Sequence, residues 1–152
     1  MGKKKKDKKA FQNIQEEWLK KSNIAKKYHD SNSDIKNPTW QLSLIDWDSQ
    51  WGWRTIEADK WQDILIKLGH FETRTWADIK NHTGSHTVLI ADCPNPQMIQ
   101  RLAEIKLDDI DELFSLRLSG KERIWGILDD HILKILWWDP NHEIWPSPKK
   151  HT

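Results

Sequence analysis

The sequence predicts an α+β domain, with helices packed on one face of a mostly antiparallel sheet that ends in a three-stranded meander. Three observations predict it. Leu113–Leu118, Arg123–Leu128 and His131–Trp138 are strand-length and rich in β-branched and aromatic residues. Ser119-Gly120-Lys121 breaks the first from the second, and Asp129-Asp130 makes a two-residue connection to the third, as antiparallel neighbours require. Upstream, segments of helical period alternate with short strand-like runs, so helices and strands share one layered domain.

The elements follow in chain order. Met1–Lys9 is a lysine-rich charge run, and residues 1–10 are expected to be a disordered basic tail. Phe11–His29 is a helix candidate, since Phe11, Ile14, Trp18, Ala25 and Tyr28 recur at heptad-like spacing with charged residues between. It forms, with the polar linker Ser31–Pro38, an N-terminal helical extension over 11–38, ahead of a domain spanning 39–145. Trp40–Trp47 alternates as a strand, and a turn with two more tryptophans, Trp51 and Trp53, follows. A helix is expected from near Glu57, with Trp61, Ile64, Leu65 and Leu68 on one side and Gly69 as its ending residue. Thr75 caps a short helix that buries Trp76 and Ile79. Thr87–Ile90 reads as a short strand. Asn95-Pro96 opens another helix, Asn as cap and Pro at the first helical position, with Met98, Leu102 and Ile105 apolar. Residues 146–152 form a Pro- and Lys-containing tail.

Composition narrows the function classes. Hydrophobic content is 37%, and the polar ends account for much of the shortfall from about 45–50% in ordinary domains. Residues 1–28 hold ten Lys against one Asp and two Glu, a net +7, whereas residues 29–152 hold 14 Lys and Arg against 20 Asp and Glu, a net −6. The basic end is suited to nucleic acid or the ribosome, while the acidic domain argues against broad phosphate binding outside a local patch. Eleven Trp against one Tyr point to a tryptophan-rich core and rim, and leave room for a stacking or partner-binding surface. Cys93 is the sole cysteine, so no intramolecular disulfide is expected and a reducing cytoplasm is the natural setting. No apolar run approaches the ~20 residues of a membrane span, so no membrane partner is expected.

The meander carries a resemblance. Leu116-Arg117-Leu118, Arg123-Ile124-Trp125 and Ile132–Trp138 followed by His142 resemble the C-terminal half of the RelE/ParE-like toxin superfamily. There, a strand ending in "-LR-" precedes a strand opening with Arg and an aromatic, then a hydrophobic strand and a polar ending with His or Arg. The strand and two helices upstream also fit, over roughly residues 40–143, and the stretch 81–107 has no counterpart. The run RLSGKERIWG…LWWDPNHE is also similar to a group of small uncharacterised bacterial proteins, which implies no function. The superfamily resemblance implies a RelE-like sheet able to hold RNA, and a toxin-like endoribonuclease of a toxin–antitoxin system. It equally accommodates members that inhibit gyrase or have lost activity.

Candidate residues follow from what RNA cleavage needs: a base for the 2′-hydroxyl, cations for the developing phosphorane charge, and a proton for the leaving oxygen. Arg117, Arg123 and His142 are the expected catalytic set. Lys121 at the turn tip, His131, and Lys149 and Lys150 in the tail are expected to bind nucleic acid. The opposing expectation has Arg117 and Arg123 paired with Glu112, Glu122 or Asp130 as ordinary surface ions. His82 and His86 in HTGSH would need His70 or Cys93 to bind zinc, and no Cys-x-x-Cys accompanies them, so no metal is expected. Ser85–His86 lacks a nucleophile elbow, and no phosphate-loop, dinucleotide or kinase motif is present, so no cofactor is expected. The alternative function is a non-catalytic module that binds a protein partner through the N-terminal helix or through exposed tryptophans such as Trp51 or Trp53.

Overall fold

In the computed structural model, residues 13–14 and 33–146 are described. The basic tail, the C-terminal tail beyond Pro146 and, Asn13 and Ile14 apart, the expected helix over Phe11–His29 lie outside the described residues. From Ser33 the chain forms a 3-10 turn (Ser33–Ile35), strand β1 (Thr39–Gln41), helices α1 (Ala58–Phe71) and α2 (Trp76–His82), and strand β2 (His86–Leu89). Helix α3 (Pro96–Glu104) and strands β3 (Glu112–Ser119), β4 (Glu122–Asp129) and β5 (Ile132–Asp139) complete it. The α+β class and the meander stand as expected. The five strands form one sheet ordered β1-β5-β4-β3-β2, antiparallel except for β1 beside β5.

The sheet is covered on both faces, not on one. Phe114, Leu116, Ile124, Leu133, Ile135 and Trp138 pack with Ile64, Leu68 and Phe71 of α1 and Trp76 and Ile79 of α2. Leu113, Trp125, Ile127, Leu136 and Trp137 pack on the other side with Met98 and Leu102 of α3 and with Ile144. The physical reason lies in β4 and β5, which are apolar on both sides and need two covers. The stretch 81–107, without counterpart in the resemblance, supplies that second cover through β2 and α3.

Other boundaries differ from expectation. The strand expected over Trp40–Trp47 ends at Gln41, because residues 42–53 loop along the remainder of β5. There Asp46 N and Trp53 Nε1 both donate to Leu136 O, and Trp51 O accepts from Trp138 N. Irregular backbone thus satisfies an edge that a longer strand would otherwise have paired. Helix α1 runs past Gly69 to Phe71, since Phe71 is buried and extending the helix secures that burial. The β4–β5 turn is Asp130-His131, one residue later than expected; Asp129 pairs with Ile132, and Asp130 takes the positive φ of 55°. The expected linker is folded in its described part: Lys36 O accepts from Trp76 N, and Lys80 pairs with Asp34. Among the described residues no helix is long and apolar enough to cross a membrane.

Candidate functional site

The site forms where the β3–β4 turn and the end of β5 meet the loop after β5. Strand alternation puts Phe114 and Leu116 on the α1/α2 face, so Ser115 and Arg117 point to the other. Arg117 lies directly opposite Arg123, and Arg123 opposite Asp139, so the three share that face in one cross-strand row. The neighbouring row is His86, Ser115, Trp125 and Trp137. Ser115 and Trp125 are 1% exposed and make a floor beside the two arginines.

Two like charges in register repel, so each needs a reason to stay. Arg123 is 7% exposed, and its Nη1 donates to the carbonyls of Gly120 at 2.7 Å and Glu122 at 3.1 Å, and weakly to Ser119 at 3.5 Å. The β3–β4 turn therefore holds it, while burial, and next the charge of Arg117, lower its pKa. Arg117 is exposed. Its own N–H donates to Ser85 Oγ at 2.9 Å, which ties β3 to the turn before β2. Gly84 has φ +82°, and a Cβ there would stand 3.3 Å from Arg117 Nη1, so glycine serves both the turn and the close passage of the guanidinium.

The acids proposed as partners are elsewhere. Glu122 alternates onto the α1 face, where Lys60 and Lys67 bind it and hold its carboxyl down at about 2 against the opposing effect of burial. Asp130 is at the far end of the sheet, bonded to His131 and Lys36. Glu112 stands at the opposite end of β3. Among the described residues neither Arg117 nor Arg123 joins an ion pair. Asp139, the one carboxylate in their row, is fully buried and already engaged: it accepts from Trp125 Nε1, Glu143 N and Ile144 N.

Those last two bonds shape the loop that carries His142. Asn95, the α3 cap, accepts from Gln97 N and also donates through Nδ2 to Glu143 O and Ile144 O, fixing the loop from the other side. Between these anchors His142 takes a left-handed φ of 56°, a conformation His tolerates better than most residues. Burial lowers the His142 pKa first; Arg123, Arg117 and His86 add their positive charge, and Asp139 opposes them. The imidazole is therefore a neutral acceptor near pH 7.

The structure thus gathers Arg117, Arg123 and His142, with Lys121 exposed at the adjoining turn. It puts His131 at the other end of the sheet, hydrogen-bonded to Asp130 at 2.6 Å. Lys149 and Lys150 lie outside the described residues. Sequence reading missed Asp139 and Asn95 as supports, and weighed His86 only as a zinc ligand or beside Ser85, not as a neighbour of the arginines, because its place depends on the pairing of β2 with β3. Trp51 and Trp53 are 4% and 2% exposed, packed at a tilt against Trp137 and Trp138, so they offer no partner surface. Among the described residues no three His, Cys, Asp or Glu side chains are grouped as metal ligands. In comparisons with known proteins, no family model matches the chain, and neither does any curated protein or solved structure.

Proposed function

We propose that this patch binds the phosphodiester backbone of RNA and cleaves it, as a toxin-like endoribonuclease acting on free or ribosome-bound message. The observation that carries the reading is the in-register pair Arg117–Arg123, unneutralised by any ion pair among the described residues, with the His142 ring near enough to feel the charge of both. Two guanidinium groups side by side suit a phosphate, whose charge grows in the pentacoordinate transition state. Arg123 is anchored and preorganised, and Arg117 is free to contact the ligand. His142, neutral and held by its loop, takes the proton of the 2′-hydroxyl. A strand, two helices and, after the inserted β2 and α3, a closing meander resemble the RelE-like order and support the same reading by analogy. The basic N-terminal run adds non-specific attraction to RNA.

The alternative is a non-catalytic protein-interaction module. Trp47 at 44% and Leu42 at 63% exposure, both on the loop after β1, are the observation in its favour.

The test is cleavage of an RNA oligonucleotide, naked and ribosome-bound, with products read by mass. The expected products end in a 2′,3′-cyclic phosphate and a 5′-hydroxyl, and a 2′-O-methyl substrate stays intact. Arg117→Ala lowers the rate about 100-fold or more, and Arg117→Lys recovers part of it, since Lys keeps the charge but not the planar fork. Wild-type protein that cuts neither substrate, and whose expression leaves growth unchanged, removes the ribonuclease reading in favour of the interaction module.

A further inference from the structure

His86 has no part in the reading so far, yet its geometry is that of a proton-transfer residue. It begins β2 opposite Ser115, so it stands on the arginine face, one row from Arg117. Its Nδ1 lies 2.9 Å from Gly84 O. A carbonyl only accepts, so Nδ1 carries a proton in both ring states and Nε2 is the atom left to take or give one. The ring is exposed, so solvent can return a proton to it between turnovers.

Its position relative to His142 is the second observation. Across the sheet the order is β2, β3, β4, β5, so His86 comes from the Arg117 side and His142 from the loop beyond Asp139. In the strand order, β3 with Arg117 and β4 with Arg123 stand between β2, which carries His86, and β5, which the His142 loop follows. The two histidines remain near enough for the charge of His86 to act on the His142 ring. In-line displacement at phosphorus puts the entering and leaving oxygens on opposite sides, and so asks for a base and an acid on opposite sides of the cations that hold the phosphate.

We propose that His86 is the general acid of this site, giving its Nε2 proton to the 5′-oxygen as the chain breaks; this rests on the RNA-cleavage reading above. In the step, His142 removes the 2′-hydroxyl proton and the 2′-oxygen forms a bond to phosphorus. The bond from phosphorus to the 5′-oxygen breaks with its electron pair on that oxygen, which takes the proton from His86. The products are a 2′,3′-cyclic phosphate and a 5′-hydroxyl, with His142 protonated and His86 neutral. Water restores both rings, so no co-reactant is needed.

The experiment compares an ordinary RNA linkage with one whose 5′-bridging oxygen is replaced by sulfur, because a thiolate leaves without a proton. His86→Ala is expected to slow the ordinary substrate about 100-fold, within the usual range for losing a general acid. The same variant should cut the bridging-sulfur substrate at close to the wild-type rate. His142→Ala should be slow on both substrates. If His86→Ala cuts ordinary RNA as well as wild type, or is equally defective on both linkages, His86 is not the acid, although the cleavage reading survives. If wild type cuts neither linkage, the cleavage reading and the role of His86 fall together.

Discussion

Arg117 and Arg123 look equivalent in the sequence, and the fold makes them different. Both are strand residues beside the same turn, and alternation alone puts them on one face. Only burial shows that Arg123 is held by turn carbonyls while Arg117 is exposed. Replacing Arg123 therefore disturbs the hairpin as well as the patch, which makes Arg117 the cleaner probe of function. Asp46 has a similar hidden specialisation. It sits in a stretch that reads as a strand, yet it accepts from Arg101 through both oxygens, at 2.8 Å each, and from Trp137 Nε1 at 2.9 Å. The bond thereby joins the loop after β1, α3 and β5. Asp46→Asn keeps the shape but leaves one acceptor oxygen for the Arg101, Trp137 and Asp48 N–H donors that two oxygens now share. It should destabilise the protein by roughly 2–3 kcal/mol, since a charged hydrogen-bond network loses its anion while the cation stays half-buried. Urea denaturation checks this; an unchanged midpoint would show that the network is only decorative.

At the scale of elements, helix propensity and burial disagree at Gly69, and burial decides. Gly69 is exposed, has ordinary helical φ, and a Cβ there would meet nothing within 4 Å. It costs the helix backbone entropy without serving a cap. Gly69→Ala should stabilise the fold by about 0.5–1 kcal/mol, seen as a raised thermal midpoint. A lowered midpoint would mean that the last turn of α1 needs the freedom of glycine after all. The short β1 makes the same point from the other side. Its sequence alternates through Trp47, but Leu136 bulges out of the β4–β5 ladder, and its carbonyl is met by Asp46 N and Trp53 Nε1. Local pattern specified an edge segment, and the twist and bulge of its neighbour settled how much of it could pair.

For the molecule as a whole, acid stability follows from two carboxyls that tie layers together. Asp46 and Glu122 are each held near a pKa of about 2, against burial that pushes both upward: Asp46 by Arg101, Trp137 and Ser49, Glu122 by Lys60, Ser119 and Lys67. Their folded values lie below the ordinary carboxyl range, so the folded chain binds fewer protons than the unfolded one. The stability they supply is complete above about pH 4.5 and is lost as pH falls from there towards 2. Urea midpoints at pH 6, 4 and 2.5 should fall in that order, and Glu122→Gln should flatten part of the decline. A midpoint independent of pH over this range would contradict the two ion-pair assignments.

The sequence by itself determined the α+β class, the meander, the two capped helices that begin at Trp76 and Pro96, and the arginine pair. Each is written in local period or in neighbouring residues, and local steric and capping rules act within a few positions. The tertiary structure decided the rest. It covered the sheet on both faces, set the register of β2 against β3 that delivers His86, bent the 139–144 loop around Asp139 so that His142 comes within reach of the arginines' charge, and sent His131 to the other end. Those placements depend on partners distant along the chain, and a one-residue slip in any of them would turn the side chain to the opposite face.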